Sequence, residues 1–127
     1  MFDHVGLNVK DYAASRAFYE QALAPLGYGV VMGSDEWKGV GFGTDGKPSF
    51  WVGPLTTGEP GSKLEVHVAF AAPDRAAVRA FFDAAVATGA EVLHEPRLWP
   101  EYHPSYYGAF VRDPDGHNVE AVCHRPE

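Results

Sequence analysis

At 127 residues the chain has room for one hydrophobic core, which excludes two independently folded domains. Hydrophobic residues make up 46% and charged residues 21%, ordinary globular usage that excludes a disordered chain. The net charge of −7, with the ten bases scattered singly, argues against nucleic acid or an anionic membrane surface as a partner.

The chain starts Met1-Phe2-Asp3-His4, an acid where a signal peptide carries Lys or Arg, and no apolar stretch approaches a membrane span. With Cys123 as the single cysteine and no internal disulfide open to it, a cytoplasmic protein is expected. The first element is a strand over 2–9, in which Val5, Leu7 and Val9 face one side and His4, Gly6 and Asn8 the other. A helix follows from its N-cap residue Asp11 to about Ala24, ahead of Pro25 and Gly27. Three short strands are expected next, over 29–33, 38–43 and 48–52, with Asp45-Gly46 turning the last pair into a hairpin.

The pattern then repeats. Shifting the sequence by 63 positions matches nine of the nineteen residues from His4 to Ala22, among them His4 with His67, Asp11 with Asp74 and Phe18 with Phe81. Between the copies, residues 54–63 have the Pro, Gly and Ser content of a linker. The second copy predicts a strand over 64–71, a helix from Asp74 with its apolar stripe at Val78, Phe81, Phe82 and Ala85, and strands over 91–94, 106–112 and 117–123. The fold class is therefore α+β: two tandem βαβββ modules, about 1–53 and 64–127, forming a cupped mixed sheet within one domain. Neither half is large enough to be stable alone, so the two must share a core.

The repeat also organises the chemistry. His4 and His67 occupy equivalent places on the sheet face turned away from the helices, and modules related by a pseudo-twofold axis would bring them together at the seam. Glu120 lies in the apolar strand Asn118-Val119-Glu120-Ala121-Val122, where a carboxylate is costly to bury unless paired or bound to metal. Two imidazoles and one carboxylate suit a divalent metal with open positions, whether Zn, Fe, Mn or Ni. The Pro-rich stretch 96–104 predicts a stiff loop without regular structure, carrying Trp99, Tyr102 and His103. His103 and Tyr106 are candidate acid–base residues. Phe50, Trp51, Trp99, Tyr102 and Tyr107, with Trp37, are candidates to line a substrate pocket.

The opening Asp3-His4-Val5-Gly6-Leu7-Asn8-Val9 with Ser15-Arg16-Ala17-Phe18-Tyr19, and the closing Phe110-Val111-Arg112-Asp113-Pro114-Asp115-Gly116-His117-Asn118-Val119-Glu120, resemble the vicinal oxygen chelate superfamily. That group includes glyoxalase I, extradiol dioxygenases, fosfomycin-modifying thiol transferases and bleomycin-binding resistance proteins. The resemblance covers essentially the whole chain and implies metal ligands at His4, His67 and Glu120. It also implies a homodimer acting on a small oxygenated substrate, apolar or aromatic, by lyase, isomerase or dioxygenase chemistry. The alternatives are a non-catalytic antibiotic-binding protein or a fosfomycin-type transferase of the same fold. Superposing Asp45-Gly46 on Asp115-Gly116 sets Phe50 opposite Glu120, where metal-binding glyoxalase I has a fourth ligand that phenylalanine cannot supply.

Overall fold

A computed structural model describes residues 2–36, 38–55 and 66–127. The first module runs β1 (Val5–Val9), α1 (Tyr12–Leu23), a single 3-10 turn (Ala24–Leu26), β2 (Gly29–Ser34), β3 (Gly39–Thr44) and β4 (Lys47–Pro54). The second runs β5 (His67–Ala71), α2 (Arg75–Ala87), β6 (Val92–Leu98), β7 (Tyr107–Arg112) and β8 (Asn118–Cys123). Each forms a four-stranded mixed sheet, ordered β1-β4-β3-β2 and β5-β8-β7-β6, with only the opening strand parallel to its neighbour. The tandem βαβββ architecture is as expected. Most of the expected linker, Trp37 and the first two residues of the expected strand 64–71 lie outside the described residues.

Local chemistry accounts for the element ends. Asp11 and Asp74 cap the two helices, their carboxylates accepting from the Ala14 and Ala77 amides at 3.0 and 2.7 Å. Asp45 and Gly46 both take positive φ, 53° and 74°, as a two-residue hairpin turn between Thr44 and Lys47 requires. One expectation is corrected: β6 continues through Pro96 to Leu98 instead of ending at residue 94. The strand lies on the sheet's edge, and the register skips between His94 and Arg97, so the proline never has to donate to the ladder.

The modules meet through their helix-bearing sides. Phe18, Tyr19, Ala22 and Leu23 of α1 and Val78, Phe81 and Ala85 of α2 belong to one buried cluster with Val52, Phe70, Val111 and Val119 from both sheets. Phe50 and Phe70 meet edge to face across the boundary at 5.0 Å. A polar fastener lies beside them. Tyr19 donates to Asp113 at 2.6 Å, and the other oxygen of that carboxylate accepts from the amides of Asp115 and His117. Asp115 in turn accepts from the Lys10 amide and the Ser15 hydroxyl, seating the β7–β8 turn on the start of α1.

The superposition of the two hairpins is also corrected. Phe42 faces Phe50 and Gly43 faces Pro48, so Ser49 is an extra residue bulged out of β4. No such residue interrupts β7–β8. Trp51, partnered by Gly6 and Gly41, therefore stands where Glu120 stands between Ala69 and Phe110. Phe50 points to the core. Neither side chain at the corrected or the expected position can ligate a metal.

Burial, and secondarily the Asp113 carboxylate, push the Tyr19 hydroxyl well above the ordinary phenol range. The unfolded chain then loses that proton near pH 10 while the folded chain keeps it, so stability falls as pH rises past that point. Tyr19→Phe should cost about 1–3 kcal/mol near neutrality by leaving a buried carboxylate oxygen short of a donor. The variant should also lose stability less steeply above pH 10, which urea unfolding at several pH values measures.

Candidate metal centre on the open sheet faces

Strand alternation sends Val119 and Ala121 into the core and Glu120 to the opposite face, yet Glu120 is only 1% exposed. Its Oε1 lies 3.1 Å from His67 Nε2, and its Oε2 accepts a hydrogen bond from the Tyr106 hydroxyl. The His67 Nδ1 is 3.1 Å from the Asn118 carbonyl. A carbonyl only accepts, so Nδ1 carries the hydrogen and Nε2 turns a lone pair toward the carboxylate. Two acceptors facing each other are reconciled by a proton on Nε2 or by a cation held between them. The side-chain oxygen of Asn118, on the same face, is buried without a hydrogen-bond partner among the described residues. Tyr106 is held in its protonated form, pushed up by burial and then by the neighbouring Glu120 carboxylate.

The close approach of these groups depends on Gly108. A Cβ there would lie 3.1 Å from Glu120 Oε2 and 3.3 Å from the Tyr106 ring. Aromatic rings enclose the rest: Phe110 stacks on His67 at 6.1 Å and meets His94 and Trp99 edge to face at 5.5 and 5.1 Å. Trp99 is itself buried, donating through Nε1 to the Gly108 carbonyl with the Arg97 guanidinium 3.4 Å above its ring. Tyr102 stacks on the Trp99 ring at 5.8 Å and is largely exposed. The loop after β6 is thus a compact turn, closed by Trp99 N–H to Tyr106 O at 2.7 Å. His103 accepts from the Ser105 amide through Nδ1 and pairs through Nε2 with His124 Nδ1 at 2.8 Å, so it faces the chain's last residues.

His4 occupies the corresponding place in the first module. Its Nδ1 lies 2.8 Å from Asp3 Oδ1, and Lys47 holds the other Asp3 oxygen at 2.7 Å. Lys47, and then His4, lower the Asp3 carboxyl from its ordinary value to about 2. With Nδ1 donating to a carboxylate, the His4 Nε2 is left as the ligating atom. Its surroundings differ sharply from those of His67, however, since the side chain is 59% exposed. Among the described residues no three His, Cys, Asp or Glu side chains lie close enough to share one ion. The expected meeting of His4 with His67 and Glu120 at the seam does not occur within the chain, because the modules spend their helix-bearing sides on each other and turn both open faces outward.

Of the other expected pocket residues, Trp51, Trp99 and Tyr102 lie on open faces, whereas Phe50 and Tyr107 lie on the helix side. Tyr107 is half-buried under the guanidinium groups of Arg75 and Arg79, 5.2 and 5.9 Å from its ring. Phe110 and Gly108 were not singled out from the sequence. Folding the closing hairpin about Asp115-Gly116 sets both beside Glu120, so the signal was present in the alternation of β7.

A sequence model of the Glyoxalase/Bleomycin resistance protein/Dioxygenase superfamily matches residues 1–121. The chain belongs to that superfamily. Among solved superfamily structures, a glyoxalase/bleomycin resistance protein from Albidiferax ferrireducens T118 is 28% identical, with a TM-score of 0.81 over 97% of this chain and 98% of that one. Two further superfamily-like folds are a lactoylglutathione lyase from Agrobacterium tumefaciens (22% identity, TM-score 0.67, 97% and 92% covered) and TioX from Micromonospora sp. ML1 (19%, 0.70, 98% and 99%). At those identities they establish a shared fold. No curated protein sequence matches. None of the helices among the described residues is long and apolar enough to cross a membrane.

Tyr106→Phe should leave Glu120 Oε2 buried without its donor and destabilise the protein by about 1–3 kcal/mol. The denaturant midpoint, compared with that of the parent, measures it.

Proposed function

We propose that this protein is a cytoplasmic metalloenzyme of the lyase, isomerase or dioxygenase type. It acts on a small oxygenated substrate at centres shared between two copies of the chain. The observation that carries the reading is the buried Glu120 carboxylate facing His67 Nε2 at 3.1 Å on the open face. The donors fit a divalent transition metal: two histidines with Nδ1 already committed, the Nε2 of His67 turned toward the one carboxylate, and an orphaned Asn118 oxygen beside them. His67 and Glu120 come from one copy and His4 from the other, which brings an open first-module face over an open second-module face. A metal bound there would act as a Lewis acid toward neighbouring substrate oxygens.

The chain's own residues do the remaining work. Tyr106 fixes the orientation of Glu120 and keeps a hydroxyl proton directed at its Oε2. Phe110 and Trp99 exclude water from the carboxylate and hold the His67 ring in plane. Asp3, anchored by Lys47, fixes the His4 tautomer. His103, engaged with Ser105 and His124, is better placed to brace the loop carrying Tyr106 than to transfer a proton itself.

Metal analysis of protein purified without chelator tests this reading. About one divalent ion per chain is expected, lost in His4→Ala and in Glu120→Ala. Mixing and reannealing these two variants should restore about one quarter of the parental metal content, because random exchange makes half the pairs mixed and each mixed pair has one intact centre. Restoration of none, with both variants folded and dimeric, would mean that the centre is not shared. A metal-free parent protein that still binds small molecules would favour the superfamily's non-catalytic binding role.

A further inference from the structure

The opening strands β1 and β5 each lie at the edge of their own sheet, and among the described residues no backbone ladder joins one to the other. Side chains close the seam between them. A hydrogen bond from the Tyr28 hydroxyl to the Ala71 carbonyl, 3.2 Å long, crosses it.

This side-chain packing leaves a cavity of about 220 Å³ at the seam. Val5 lines it from β1, and Val68 and Phe70 line it from β5. Leu23 and Phe42, both almost free of solvent, mark its deep end, whereas Val5, 40% exposed, marks its mouth. Ser49, the residue bulged out of β4, lines it too. Strand alternation puts Val68 and Phe70 on the core side of β5 and His67 and Ala69 on its open side. The strand thus separates the cavity from the metal donors.

The wall decides what chemistry fits. Tyr28 is the one ionisable residue among those lining the cavity, and its proton is already committed to Ala71. A carboxylate or an ammonium entering there would lose its hydration with no charged partner to replace it. An uncharged apolar molecule gains from the same exchange of water for wall. A cavity of about 150 Å³ lined by aliphatic and phenyl side chains is enough to hold benzene. The larger volume at this seam leaves room for a substituent on such a ring.

We infer that the cavity between β1 and β5 is a second ligand site, taking an uncharged apolar molecule of about the size of one substituted benzene ring. The oxygenated substrate assigned to the open faces is of a different class, so the two sites do not compete. A molecule in the cavity touches β1, β4 and β5 together, and its binding adds to the docking of the two modules.

The test is an NMR titration of the chelator-treated full chain with toluene, with benzoate as the charged control on the same ring. The methyl resonances of Val5, Leu23 and Val68 should shift saturably with toluene and stay in place with benzoate. Cross-relaxation should connect the toluene protons to the Phe70 ring, and the melting temperature should rise with toluene concentration. Val68→Phe should fill the cavity and weaken toluene binding at least tenfold. Val5→Phe, at the exposed mouth, is the second variant should Val68→Phe fail to fold. No saturable shift, shifts confined to another part of the molecule, an equal response to benzoate, or toluene binding unchanged in a folded cavity-filling variant would each overturn the inference. Because the titration is made without metal, the seam cavity and the shared metal centre can fail independently.

Discussion

Everything else in this structure follows from the need of two sixty-residue halves to bury their helix-bearing sides against each other. Each sheet has one helix on one face, and neither half alone removes enough apolar surface from water to offset the entropy of ordering it. The shared cluster around Phe18, Tyr19, Phe50, Phe70 and Phe81 supplies what each lacks. The same burial dictates where reacting ligands can go. A face committed to the core is closed to chemistry, so the two opposite faces are what remain for it. Since these point away from the core, a centre drawing on both modules requires a second copy.

The two open faces have diverged in kind. In the second module, Gly108 admits the Tyr106–Glu120 contact, and rings from β6, β7 and the loop between them cover the carboxylate. The first module keeps glycines at the corresponding strands and sets an indole there. A duplicated scaffold thus offers a polar, enclosed surface and a flat, aromatic one, and a pairing of copies would bring one against the other.

Much of the fold was legible because its signals are local and repeated. The shift of 63 residues, the two Asp N-caps and the alternation of Val5, Leu7 and Val9 each follow from spacing along the chain. What was not legible was set by contacts between strands. The bulge at Ser49 leaves no mark in the turn sequence Asp45-Gly46, so superposing turns misplaced the partner of Glu120 by one residue and hence by one face. Pro96 read as a break because the sequence does not reveal that β6 is an edge strand. Whether His4 meets Glu120 within one chain or across two was left open by the sequence, since symmetry relates equivalent positions without saying on which side of the sheets the modules join.

The fastener between Tyr19 and Asp113 also bears on how the protein is made. Its partners are 94 positions apart, and the turn that carries Asp113 comes late in the chain. A ribosome that has delivered α1 and the whole first sheet has delivered Phe18, Tyr19 and Phe50, which pack on one another but still lack Phe70 and Asp113 from the second half. Until β8 emerges, the nascent first half carries a sticky aromatic surface at its back. Its period of greatest exposure to misassociation is therefore during synthesis.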